Sequence, residues 1–256
     1  MDGIPNHVFV VTGAAGGIGS AMVLALARRG AHAVITDLAT SDGEEVAARL
    51  SAEAAGEGRV TFVPMDVTDP AAVEAAAARI EAEAGPVHGI IANAGIAPAA
   101  PSLDLTDEVW RRTMAINLDG VFHTARAFGR RMVERGAGAM VLVSSIAGVK
   151  VVRPEVHLAY DATKAAVTQM AATLGVEWAR RGVRVNALAP GYTDTPILAK
   201  MREDDPETVA RWTDDTPMGR LMRPEEIANV AVFLLSDLSS AITGALVMAD
   251  GGYSRW

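Results

Sequence analysis

Short runs of apolar, β-branched residues alternate with longer alanine-rich stretches from one end of the chain to the other. The runs are VFVVT (8–12), HAVIT (32–36), RVTFVPM (59–65), HGIIAN (88–93), AMVLVSS (139–145), VRVNALA (183–189) and ALVMA (245–249). They are apolar at successive rather than alternate positions, the pattern of strands covered on both faces. Between them, stretches such as SAMVLALARRG, PAAVEAAAARIEAEAG and TKAAVTQMAATLGVEWARRG carry apolar residues at helical spacing and end in glycine. Seven such strands separated by helices predict a single-domain, doubly wound α/β Rossmann fold, a seven-stranded parallel sheet with helices on both faces. No repeat or linker interrupts the alternation. The one long stretch without a strand pattern, 190–223, is polar and rich in Pro, Asp and Thr, and reads as a lid or substrate loop within the domain.

Composition narrows the function. Half of the 256 residues are hydrophobic, enough for one sizeable core. The absence of cysteine excludes a disulfide framework, a cysteine-ligated metal and a thiol nucleophile, and suits a reducing compartment. The opening MDGIPNHVFVVTG lacks a basic segment followed by a long apolar one, and no run approaches the ~20 apolar residues of a membrane span, so a soluble, cytoplasmic protein is expected. A net charge of -8 without a basic block argues against nucleic acid as a partner. The histidines at 7, 32, 88, 123 and 157 are scattered without metal-ligand spacing, and no metal is expected.

Against this background TGAAGGIG (12–19) stands out, lying between a strand and a helix. A helix start offers unpaired N–H groups and the positive end of the dipole, and glycines let backbone approach an anion closely. Its glycines do not fit G-x-G-x-x-G, and no Lys-Ser or Lys-Thr follows as in a P-loop. The second strand ends at Asp37, eighteen residues beyond Gly19, where a ribose-binding acid is expected. A carboxylate there accepts from ribose hydroxyls and repels a 2'-phosphate; with no Arg or Lys at 14–18 or 38–40, the balance favours NAD over NADP. Asp66, in MDVTD, is placed either to reach the adenine edge or to serve as a turn or cap acid.

YDATK sets Tyr160 and Lys164 four apart, on one face of a helix running to about 181. A free tyrosine, with a pKa of about 10, is a poor base at neutral pH, and a neighbouring ammonium favours its phenolate. LVSSIAG brings Ser144 and Ser145 to the carboxyl end of the fifth strand, where ligands of such sheets bind, and alternation assigns Ser145 to the crevice. ANAG (92–95) closes the fourth strand, and Asn117 lies mid-helix in MAINLDGVF.

In order along the chain, TGxxxGxG, Asp37, the Asp66–Val67 pair, NAG, Asn117, the serine, Tyr-x-x-x-Lys, PGYTDT (190–195) and SSAITGALVMADGG resemble the short-chain dehydrogenases/reductases over essentially the whole length. The resemblance implies that Tyr160 is the catalytic base or acid, that Lys164 binds the nicotinamide ribose and lowers the tyrosine pKa, that Ser145 holds the substrate oxygen, and that Asn117 supports a proton relay. It places Gly13, Gly17, Ile18 and Gly19 at the pyrophosphate, Asp37, Asp66, Val67, Asn93, Ala94 and Gly95 at the adenosine side, and Pro190, Gly191, Thr193 and Thr195 near the carboxamide or phosphates. The cofactor so implied is NAD. Two departures are visible: Ala92 stands where the family usually has asparagine, and Ser145 precedes Tyr160 by fifteen residues instead of thirteen. Within the family, the longer loop, YDATKAAV, KMRE, TPMGR and the closing DGGYSRW look most like polyol and sugar-alcohol dehydrogenases; Arg153, Glu155, His157 and Asp194 are the polar groups available for a hydroxylated or keto substrate. The rival is a 3-oxoacyl thioester reductase, disfavoured by Asp37 and the acidic balance; a non-catalytic nucleotide sensor would be expected to have lost Ser145, Tyr160 or Lys164. By resemblance the assembly is a homotetramer or dimer, with the helices at 106–135 and 157–181 as interface candidates.

Overall fold

The computed structural model describes residues 3–255, so Trp256 of DGGYSRW and the first two residues of the opening stretch lie outside the described residues, as do the side chains at 197, 199, 200 and 202, two of them in KMRE. Seven strands, β1 (Val8–Thr12), β2 (His32–Asp37), β3 (Arg59–Pro64), β4 (Val87–Ala92), β5 (Gly138–Val143), β6 (Val183–Pro190) and β7 (Leu246–Ala249), form one sheet in the order 3-2-1-4-5-6-7. Every pairing is parallel. The order reverses between β1 and β4, and the crevice that opens there at the carboxyl ends is where ligands of such sheets bind.

The helices are α1 (Gly17–Ala27), α2 (Gly43–Glu53), α3 (Pro70–Ala84), α4 (Asp107–Met114), α5 (Gly120–Arg135), α6 (Leu158–Trp178), α7 (Pro196–Asp204), α8 (Pro206–Asp214) and α9 (Pro224–Leu235). Alternate strand residues feed two cores. Phe9, Val11, Ile35, Ile91 and Val141 pack with α1, α2 and α9, whereas Val8, Val10, Val34, Ile90 and Met140 pack with α3, α5 and α6. Both faces of the central strands are therefore buried, which is why their sequences read as unbroken apolar runs.

Two expectations change. The helix predicted over 106–135 is interrupted by a π-helical turn at Ala115–Asp119, which contains Asn117. The segment 190–223 is largely helical: Pro196 and Pro206 occupy first-turn positions of α7 and α8, and Asp205 caps α8 by accepting from Thr208 N at 3.1 Å. Its two ends are joined, with Met222 N donating to Tyr192 O and Asp194 N to Met222 O, each at 2.8 Å. Among the described residues, no helix is long and apolar enough to cross a membrane.

Candidate active site

The glycine loop is fixed by the NAG turn. Thr12 Oγ1 accepts from Asn93 N and Ala94 N, both at 3.0 Å, while Asn93 Nδ2 donates to Thr12 O at 3.0 Å and Gly13 O at 3.1 Å. Gly13, at φ +62°, leaves no room for a side chain, since a Cβ would stand 2.7 Å from Ala94 Cα. At Gly19 a Cβ would fall 2.7 Å from Gly13 O and 2.8 Å from Asn93 Nδ2. Gly16 and Gly17 differ: a Cβ on either meets nothing within 4 Å, and Gly16 caps α1 without a side-chain acceptor. The helix thus begins on an open bay lined by backbone, with its first N–H groups unsatisfied from within the helix. Such a bay fits a pyrophosphate. Ile18 turns its side chain into the α1/α9 core and has only its backbone to offer there.

Beside the bay lies a cleft of about 590 Å³ lined by Gly13, Asp37, Asp66, Val67, Asn93, Ala94 and Gly95, among others. Asp37 Oδ2 accepts from Ala15 N at 3.0 Å and Oδ1 from Leu38 N at 2.8 Å, so two amides orient its carboxylate and tie it to the glycine loop. Each oxygen retains a lone pair for a ribose hydroxyl. Asp66 closes a turn, Oδ1 accepting from Thr68 N at 2.9 Å and Thr68 Oγ1 at 2.7 Å, as the turn reading expects, and it also lines the cleft. Met65, Ile96, Ala115 and Ile116 give the cleft apolar walls suited to a flat ring. One wall residue was missed: Arg112, from α4, brings a cation into a cleft for which the sequence offered none near the glycine loop or the end of β2. Neither its position nor its distance from the motif signals this; only the docking of α4 does.

On the other side of the crevice, Ser145 and Tyr160 share a hydrogen bond. Ser144 faces away, its Oγ donating to Lys164 O at 2.9 Å and lying 2.8 Å from Thr168 Oγ1, as strand alternation requires. Lys164 is buried, with Nζ donating to Val143 O at 2.8 Å and lying 5.6 Å from the Tyr160 ring centroid. Burial lowers the lysine pKa to about 8. For Tyr160, burial pushes the phenol above its usual range; the Ser145 hydrogen bond opposes this, and Asp161 adds to it. The expected lowering of the tyrosine by Lys164 is therefore not met by the protein groups alone, because desolvation outweighs them.

Asn117 is fully buried and clasps a backbone unit: Oδ1 accepts from Ile96 N and Nδ2 donates to Ile96 O, each at 2.8 Å. A Cβ at Gly95 would lie 3.3 Å from Asn117 Oδ1 and 3.5 Å from Lys164 Nζ, so the NAG turn, the asparagine and the lysine converge. Thr193 is buried, its Oγ1 donating to Gly191 O at 2.9 Å, and Gly191 N continues the β6–β7 ladder by donating to Ala249 O at 3.0 Å. Pro190 ends β6, and Thr195 caps α7 without a side-chain bond; neither lines the cleft.

The family model described as enoyl-(acyl carrier protein) reductase matches residues 13–254. The galactitol 2-dehydrogenase (L-tagatose-forming) of Cereibacter sphaeroides is 47% identical, covering 96% of this chain and 94% of its own. The cis-4-hydroxycyclohexanecarboxylate dehydrogenase of Sinomonas cyclohexanicum is 43% identical over 97% of both chains. Among solved structures, a gluconate 5-dehydrogenase from Burkholderia cenocepacia J2315 in complex with NADP and tartrate superposes with a TM-score of 0.90 at 32% identity, over 100% of this chain and 97% of that one. The chain belongs to the short-chain dehydrogenase/reductase family. It is an oxidoreductase of the class that interconverts secondary alcohols and ketones with a nicotinamide cofactor.

Proposed function

We propose that the protein is an NAD-dependent polyol dehydrogenase that oxidises one secondary hydroxyl of a sugar alcohol to the ketose. The observation that carries the chemistry is the hydrogen-bonded Ser145–Tyr160 pair with Lys164 beneath the ring, beside the bay that begins α1. The bound dinucleotide supplies the hydride acceptor. Gly13, Gly17, Ile18 and Gly19 hold its pyrophosphate, Asp37 its adenosine ribose, Asp66, Val67, Asn93, Ala94 and Gly95 the adenosine side, and Pro190, Gly191, Thr193 and Thr195 the opposite end. Ser145 Oγ holds the substrate oxygen, Tyr160 Oη takes its proton, and in reduction returns it. Lys164 favours the phenolate once its own charge is retained, and Asn117 keeps the NAG turn and the helix column in register with both.

The polyol reading is supported by the galactitol-named relative and by polar groups on the 149–157 and 190–195 segments. Helices α7 and α8 form a lid over the substrate end, and the whole chain works as a single cytoplasmic domain in a homotetramer or dimer. Steady-state rates with NAD+ on a panel of hexitols, tetritols, cyclic secondary alcohols and 3-hydroxyacyl thioesters test the proposal. Polyols are expected to give the highest kcat/KM; activity confined to the thioesters refutes it.

A further inference from the structure

The loop ahead of α6 holds a carboxylate whose two oxygens are treated differently. Glu155 Oε2 accepts from Tyr192 Oη at 2.8 Å. That phenol is immobilised: its ring stacks on Trp212 at 4.5 Å between centroids and 14° between planes, and meets the Tyr253 ring edge-on at 5.4 Å. Glu155 Oε1, by contrast, is buried and accepts from no group among the described residues. A buried carboxylate oxygen without a donor is costly, and a ligand hydroxyl that supplies one relieves the cost.

The carboxylate's partner shares a packing cluster with the reacting tyrosine. Tyr192 and Tyr160 pack on the same small cluster of Ile146, Ala147, Val152 and Tyr253. The charge of Glu155 is felt at Asp161, the neighbour of Tyr160 in sequence. Asp161 Oδ1 lies 2.6 Å from His157 Nδ1, and the His157 ring is 5.1 Å from that of Tyr160. Of the basic groups of the loop, Lys150 Nζ sits 5.3 Å over the Tyr253 ring, the ring that Tyr192 meets edge-on, and the Arg153 side chain is exposed to solvent. The loop ahead of Tyr160 thus holds a carboxylate oxygen without a donor.

We infer that Glu155 selects uncharged, hydroxyl-rich substrates over carboxylate-bearing ones of the same size, with Tyr192 as its positioning residue. This rests on the polyol reading and specifies its substrate class: neutral alditols are accepted, and aldonates are rejected by charge. A substrate hydroxyl donates to Oε1, while an aldonate brings a second negative charge into a poorly hydrated site.

The test compares kcat/KM for a hexitol and for the six-carbon aldonate with NAD+, in wild type, E155Q, E155D and Y192F. Wild type is expected to prefer the hexitol. In E155Q the preference falls about tenfold or more, chiefly through KM, and E155D, which restores the charge, recovers most of it. Raising salt from about 0.05 to 0.5 M shrinks the wild-type preference and leaves that of E155Q flat, a response that a merely structural role does not produce. Y192F keeps the charge and the ring stack, and raises the hexitol KM by about threefold to tenfold. A ratio in E155Q within twofold of wild type overturns the inference, as does a wild-type preference indifferent to salt; the latter needs no variant. A wild type active on the hexitol with an unchanged E155Q ratio sinks this inference alone. A wild type inactive on every polyol sinks the polyol reading with it.

Discussion

At Tyr160 two opposing influences meet, and their balance decides what the residue can do. Burial favours the protonated phenol, and Lys164, buried beneath it, is itself held at a pKa of about 8 against an ordinary 10.5. That depression corresponds to about 3 kcal/mol against the charged lysine. Below pH 8 the cost is fully present; as pH rises from 8 to 10.5 the folded state releases its proton before the unfolded one, and the cost is relieved. The melting temperature of wild type relative to K164M should therefore climb across that window; a constant difference between the two would rule out a buried lysine of low pKa. Replacement of Tyr160 by Phe removes the proton-transferring oxygen but not the ring, and should cut kcat by about a thousandfold while NADH binds as in wild type. Retention of a substantial rate would take Tyr160 out of its proposed role. The Tyr-x-x-x-Lys pair and the orientation of Ser145 were legible because both follow from repeat geometry, four residues per helical face and two per strand. Arg112 was not, because no local spacing tells which side chain of a helix will face a cleft built from distant strands.

Among the elements, the π-helical turn at Ala115–Asp119 is where local sequence and tertiary demand part company. Nothing in MAINLDGVF breaks an α-helix, yet the widened turn carries Asn117 to both polar groups of Ile96. Such turns are concentrated at functional sites. Asn117→Ala takes both partners from the half-buried Ile96 backbone unit and empties a fully buried position, together about 1–3 kcal/mol, and should lower the melting temperature by about 5 °C. Calorimetry checks this, and a variant as stable as wild type would show that the clasp is dispensable. The strands were read to within two residues because burial on both faces writes itself into composition. Helices α7 and α8 were missed for the converse reason: their described side chains are mostly exposed, and the prolines that start them look like loop punctuation.

For the whole molecule, the parallel order brings every carboxyl end to one edge, so the cleft beside the glycine loop and the Ser145–Tyr160 pair lie along the same edge although they come from opposite halves of the chain. Asp37 and Arg112 set opposite charges in that cleft. Asp37 is oriented by two amides, and with the ribose-binding role proposed for it NAD+ should support turnover with a kcat/KM about a hundredfold above that for NADP+. Comparable efficiency with the two would mean that Arg112 neutralises the carboxylate. The excursion between Asp194 and Leu221 leaves and rejoins the body at the Tyr192–Met222 pairing, where its two ends already touch. Because those ends are held by the body, the segment behaves as a cassette: doubling its length adds only about 0.6 kcal/mol of closure entropy. Segments from relatives with other substrates should graft at 194 and 221 without disturbing either core, and the melting temperatures of such chimaeras, unchanged to within a few degrees, would show it.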